Sequence, residues 1–289
     1  MALFILPPSK LKFYNFKMYS LILFFISIFA GFLGALLGLG GGIIVVPALT
    51  LLFKIDIRYA VAASLISIIA TSSTAAANFI KDQLTNIRVA VLLEVGTVAG
   101  ALTGYFISSE INAKWLYLLF GVFLLFSSLM MLRKREEHIS IDDHPWSLKL
   151  RLAGTYQNEK KEKIFYNIAN VPFGLFSMYF AGVLSALLGI GSGIFKVMAM
   201  DGAMKLPMKV SSATSNFMIG VTAAASAGAY FIKGDMRPEL TSPVALGIIL
   251  GSWIGGKTMT RIETSVLRKI FITVLVFVAF QMILKGMKL

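Results

Sequence analysis

Apolar residues run along this chain in long blocks, near Tyr19–Leu37, Ile57–Ile80, Val89–Ile107, Trp115–Leu132, Pro172–Leu188, Val210–Ile232, Leu240–Thr258 and Val266–Leu284. Most approach the ~20 residues that an α-helix needs to cross the hydrocarbon of a bilayer. Eight transmembrane helices are the simplest count, and the pattern predicts an all-α integral membrane protein. A polar stretch at 133–170 divides the blocks four and four, leaving a first transmembrane unit at 1–132 and a second at 171–289. Composition agrees, with 57% apolar and only 14% charged residues, where a soluble domain carries about 25% charged ones.

The two units repeat. Gly31 to Ala48 and Gly182 to Ala199 align without a gap and are identical at 11 of 18 positions, an offset of 151 residues. At the same offset Ala62, Ser64, Thr71 and Ala76 meet Ala213, Ser215, Thr222 and Ala227, and the triplet Gly96, Gly100, Gly104 meets Gly247, Gly251, Gly255. Two homologous four-helix repeats, each opened by a glycine-broken helix, follow from this register.

Charge places the linker. Arg133, Lys134, Arg135, Lys149, Arg151, Lys160, Lys161 and Lys163 lie in it, and basic segments between spans stay in the cytoplasm. Four full spans per half put the linker and both termini on that one side of the cell membrane, with parallel repeats. If the glycine motif instead turns the chain back as a re-entrant hairpin, each half has an odd span count and the repeats are inverted. The stretch from Trp146 to Gly154 mixes apolar and basic residues, as an interfacial helix or a plain solvated linker does. Lys10, Lys12 and Lys17 precede the first apolar run, but that run continues into the glycine motif without a cleavage site, so it reads as a retained span.

The same facts exclude several chemistries. The excess of Lys and Arg, 27 against 14 acidic residues, reads as topology and not as nucleic-acid binding. There is no cysteine, and the two histidines, His138 and His144, fall in the linker. No metal, no cofactor and no enzymatic activity are expected from such a set.

The glycine clusters carry the candidate chemistry. Gly38, Gly40, Gly41 and Gly42 in the first half, and Gly189, Gly191, Ser192 and Gly193 in the second, end one apolar run just before another. Each glycine costs a helix about 1 kcal/mol relative to alanine, so the helix should unwind there. A break at membrane depth survives only where it is buried in protein or lines a wet cavity. The residues that follow, from Ile43 and Ile194, can start half-helices whose free amides and dipole ends favour an anion. Tight helix packing is the alternative reading of these glycines, and it suits Gly96, Gly100, Gly104 and their counterparts better.

Polar residues inside the spans extend the site. Lys196 follows the second break, where the first half has Val45; it either charges the anion site or snorkels to the interface. Glu94, well inside the third span, is a coupling candidate as a proton carrier, or else pairs internally with Lys196 or Arg88. Ser64, Ser67 and Thr71 in one half and Thr214, Ser215 and Asn216 in the other offer hydrogen-bond donors, with Ser64, Ser215 and Asn216 preferred. The candidate substrate-binding set is thus Gly40, Gly41, Gly42, Ile43, Ser64, Gly191, Ser192, Gly193, Lys196, Ser215 and Asn216. A small anion and the lipid bilayer are the expected partners. A scaffold without a substrate, and a carrier of a different small organic anion, remain alternatives.

The motif GxLxALLGxGxGI, present twice, with a proline-ended apolar run after the first copy and an A-x-S pattern some twenty residues on, resembles the sulfite exporter TauE/SafE family of permeases. The resemblance covers nearly the whole chain and implies a duplicated four-span plan and transport of sulfite, organosulfonates or related sulfur oxyanions. The second copy departs from the pattern at Ser192 and Met198, and Lys196 is not part of it.

Overall fold

The computed structural model describes residues 13–37, 41–81, 83–132, 144–157, 162–258 and 264–289. Each of the eight apolar runs falls within one long helix: α1 (Phe13–Leu37), α3 (Ile57–Lys81), α4 (Ile87–Glu110), α5 (Ala113–Leu132), α7 (Val171–Leu188), α9 (Met208–Lys233), α10 (Pro238–Thr258) and α11 (Thr264–Lys288). Two short helices follow the glycine clusters, α2 (Gly42–Pro47) and α8 (Gly193–Met198), and each runs on into a π-helical turn, Ala48–Leu52 and Ala199–Ala203. Among the described residues, α3, α4, α5, α7 and α9 are long and apolar enough to cross a membrane. The linker holds a short helix α6 (Pro145–Lys149) and an antiparallel hairpin of β1 (Gly154–Gln157) and β2 (Lys163–Tyr166).

The local geometry of the two halves repeats at the offset seen in the sequence. Phe53 N–H donates to Ala48 O and Met204 N–H to Ala199 O, while Ile55 N–H donates to Leu49 O and Leu206 N–H to Met200 O. Lys54 and Lys205 then turn the chain with φ of 53° and 60°. Because Met198 stands where the first half has Pro47, the proline is not what opens the π turn.

Helices of one half pack on helices of the other. The most extensive contacts are α1 with α10, α4 with α7, α5 with α11 and α3 with α9, and the next are α3 with α10 and α4 with α9. Exchanging each helix for its repeat partner maps this set onto itself, so the contacts obey a pseudo-twofold relation. Two of the seams are glycine seams. A Cβ added at Gly100 would sit 1.9 Å from the carbonyl oxygen of Tyr179 in α7, and one at Gly251 would sit 2.0 Å from that of Ile28 in α1. Small residues at this spacing let two backbones touch.

Polar contacts fix which helix ends lie together. At one end Arg58 Nη2 donates to Ile111 O (2.8 Å), Lys285 Nζ donates to Thr50 O (2.5 Å), the Arg237 guanidinium lies 4.1 Å from the Tyr59 ring centre, and Tyr19 meets Phe53 edge to face. At the other end Asn86 N–H donates to Thr214 Oγ1, Asn86 Nδ2 donates to Leu152 O and the Tyr166 hydroxyl, and Ala169 N–H donates to Met204 O. Burial there raises the Tyr166 hydroxyl above its ordinary pKa, an effect the Asn86 bond partly offsets.

These contacts place the start of α1 and the end of the first π turn at one end, and the start of α7 and the end of the second π turn at the opposite end. Each glycine-broken pair is therefore a hairpin that enters and leaves at the same end, from opposite ends for the two halves. α11 finishes beside Thr50 and Tyr117, at the end of the bundle away from the linker, which is not the arrangement that four plain crossings in each half would give. The physical reason is the hairpin, which leaves three through-running helices in each half.

The outside is apolar, and the interior sets polar residues among its apolar ones. Phe25, Phe29, Val95, Phe106, Val122, Phe176, Phe180, Trp253 and Phe280 are exposed, whereas Ser64, Ser67, Ser185, Ser192, Thr214 and Thr222 are wholly buried. A soluble domain hides its large apolar side chains, and lipid removes the reason to do so.

Candidate functional site

The two hairpins touch at their breaks. A Cβ added at Gly42 would lie 2.2 Å from Gly189 O, so the start of α2 can approach the second break only as glycine. Ser64 Oγ–H, from α3, donates to the same Gly189 O at 2.7 Å. Gly189 and Gly191 turn the chain with φ of 63° and 69°, and Ser192 follows in the same left-handed region at 48°. Ser215 Oγ–H, from α9, donates to Gly193 O at 3.2 Å. The serines that recur at one position of the repeat thus both hold the second break.

At that break the Ser192 hydroxyl is fully buried and has no hydrogen-bond partner, and neither has Ser185 Oγ, one turn before Gly189. The first i−4 bond of α8 is Lys196 N–H to Ser192 O, so the amides of Gly193, Ile194 and Phe195 precede the helical ladder. In α2 the first such bond is Val45 N–H to Gly41 O, and Ile44 N–H already donates to the same oxygen, so the amides of Gly42 and Ile43 stand in the same relation. Gly41 packs with Ile248 and Ser67, and Ile43 is buried. Gly40 lies outside the described residues.

Lys196 turns inward instead of snorkelling. It is 0% exposed, its Nζ donates to Thr222 Oγ1 at 2.5 Å, and it stands 3.6 Å from Glu94 Oε1. Thr222 Oγ1 lies 3.1 Å from both Glu94 oxygens, and Thr97 Oγ1–H donates to Oε2 at 2.7 Å. Glu94 therefore pairs with Lys196, while Arg88 donates to Arg151 O in the linker. A buried ion pair needs such supplementary hydrogen bonds, since the desolvation of two charges otherwise exceeds their attraction.

Other sequence candidates have different uses. Thr214 accepts from Asn86 N–H at the linker end, and Asn216 Nδ2 donates back to Ser212 O in its own helix. Thr97, Thr222 and Ser185 were missed as site residues. Thr222 was visible as the repeat partner of Thr71, and Thr97 stands three residues beyond Glu94, one helical turn on the same face. Ser72, whose hydroxyl donates to Asn216 O at 2.5 Å, gave no signal beyond its place on a span.

The chain is similar to curated relatives over most of its length. The chain is 28% identical over 276 residues to "Probable membrane transporter protein YunE" of Bacillus subtilis, covering 92% of this chain and 97% of that one. It is 26% identical over 254 residues to "Probable membrane transporter protein YdhB" of the same organism, covering 88% and 94%. A third relative, "Probable membrane transporter protein MJ0441" of Methanocaldococcus jannaschii, is 26% identical over 290 residues, covering 95% and 99%. No solved structure matches the chain. The family model described as Sulfite exporter TauE/SafE matches residues 23–282, and the protein belongs to that family.

Proposed function

We propose that the protein is a carrier of a small oxyanion, held where the two glycine breaks meet and released by alternating access. Sulfite, an organosulfonate or a related sulfur oxyanion is the substrate class, and export across the cell membrane is the direction. Eight membrane helices in two inverted repeats, 1–132 and 171–289, form the carrier, and 133–170 is its cytoplasmic linker.

One observation carries this reading: a buried lysine and a buried, unpartnered serine hydroxyl flank a helix break that the opposite hairpin touches. Polar groups this deep in lipid are costly and mark pathways. The amides before Lys196, the Ser192 hydroxyl and the Lys196 ammonium together match an oxyanion, which needs several donors and one positive charge. The family description and the names of the relatives support transport, and the family description alone supplies the sulfur.

The test is ligand-dependent thermal stability in detergent, with sulfite, sulfate, thiosulfate, sulfoacetate, acetate and chloride compared at equal ionic strength. A ligand at a hundred times its dissociation constant stabilises the protein by about 2.7 kcal/mol. Selective stabilisation by sulfur oxyanions, followed by flux of the same anion in liposomes, is the expected result. Equal stabilisation by acetate or chloride removes the sulfur, and no response from folded protein removes the anion.

A further inference from the structure

We infer that binding of the anion is coupled to uptake of one proton by Glu94, because the anion and the Glu94 carboxylate compete for the same lysine. The inference rests on the anion reading above and adds its regulation. In the contacts described, Glu94 is the acid in reach of Lys196 Nζ, at 3.6 Å, and Glu94 is also held by the hydroxyls of Thr97 and Thr222. An oxyanion at the second break takes the lysine as its counter-ion. The carboxylate is then left buried without a positive partner, at 7% exposure, and a lone buried charge of this kind neutralises by taking up a proton.

The charge balance closes. Before binding, Lys196 and Glu94 sum to zero. Afterwards a monoanion faces the Lys196 ammonium, a proton from the bulk sits on Glu94, and the sum is again zero. No bond other than O–H forms on the protein. Thr222 serves both states, since its hydroxyl already touches the lysine and both carboxylate oxygens; a protonated carboxyl can donate to it in turn.

The first half lacks this device. At the repeat offset Lys196 corresponds to Val45 and Glu94 to Ala245, while Thr222 retains its counterpart in Thr71. Proton coupling thus belongs to the hairpin that enters from the linker end. The other titratable groups on elements packed about Glu94 are Arg88 at the start of α4, bonded to Arg151 O, Tyr105 and Glu110 toward the end of α4, Tyr179 in α7, Asp201 beyond Lys196, Lys209 at the start of α9, and Tyr230 and Lys233 toward its end. None of these is an ion-pair partner of Glu94 in the contacts described.

The experiment is proton uptake on binding, measured with purified protein and a pH indicator in weak buffer on addition of methanesulfonate, ethanesulfonate and 2-hydroxyethanesulfonate, each a monoanion that itself takes up no proton near neutral pH. The expected result is about one proton per anion bound, with a dissociation constant that rises up to about tenfold per pH unit, as linkage requires. Glu94→Gln should bind the anion with no proton uptake and no pH dependence, and its circular dichroism reports whether it is folded. Binding to wild-type protein without proton uptake overturns this inference and leaves the anion site standing. Binding of none of the three anions overturns both.

Discussion

At the scale of single residues the second break is where sequence and structure can be set against each other most directly. Ser192 holds a left-handed backbone that costs a residue with a Cβ about 1–2 kcal/mol, where glycine stands in the first half. Ser192→Gly should therefore raise the stability of the ligand-free protein by about 1 kcal/mol and weaken anion binding, because it removes an unpartnered buried hydroxyl. Denaturation in detergent and an anion titration of one preparation measure both; a gain in stability with unchanged binding removes Ser192 from the site. Lys196→Ala should weaken binding more than Glu94→Gln, since only the first removes the positive charge, and equal or reversed losses remove Lys196. Much of this site was legible. Four glycine-like positions twice over, and a lysine where the repeat has valine, stand out in any apolar chain. The direction in which Lys196 points was not legible, because a long side chain one turn into a helix can reach either the interface or the core, and only the placement of α4 and α9 brings Glu94 and Thr222 to it.

At the scale of elements the helices themselves were nearly complete in the sequence, since in lipid a helix is recognised by unbroken apolarity. Their pairing was not. The triplets Gly96, Gly100, Gly104 and Gly247, Gly251, Gly255 announced two packing seams, but nothing in their spacing says that each seam faces the first helix of the other half. The π turns and the linker hairpin were also missed, the first because they continue apolar runs, the second because four-residue strands carry too little period. The seams have a direct test. Gly100→Ala and Gly251→Ala each force a methyl group against a backbone carbonyl oxygen and should cost about 1–3 kcal/mol, the usual range for overpacking. Gly228→Ala is the control: nothing lies within 4 Å of its added Cβ, and alanine in place of an exposed helical glycine should be neutral or stabilising by up to about 1 kcal/mol. Equal effects of the three substitutions on detergent denaturation would mean that the seams are not close-packed.

At the scale of the whole molecule the two hairpins decide the topology. A hairpin that returns to its own end leaves each half with three through-running helices, so in the proposed carrier the second half is inserted upside down relative to the first and the linker is separated from the last helix. In the proposed orientation the basic linker lies in the cytoplasm, and the end that holds Arg58, Ile111 and Lys285 lies on the opposite face. The sequence left this open, because eight apolar runs read equally well as eight plain crossings; the return of the chain shows only in which loops touch. The absence of cysteine from the chain makes the test clean. In cells carrying Gln157→Cys, Glu110→Cys or Leu289→Cys, all three positions being exposed, a membrane-impermeant maleimide added outside should label the second and third. The first should react only once the membrane is opened. Labelling of Leu289→Cys and Gln157→Cys from the same side would restore eight plain crossings with parallel repeats. It would also separate the two breaks that the proposed anion site requires to meet, since hairpins entering from one face cannot close on a ligand from both.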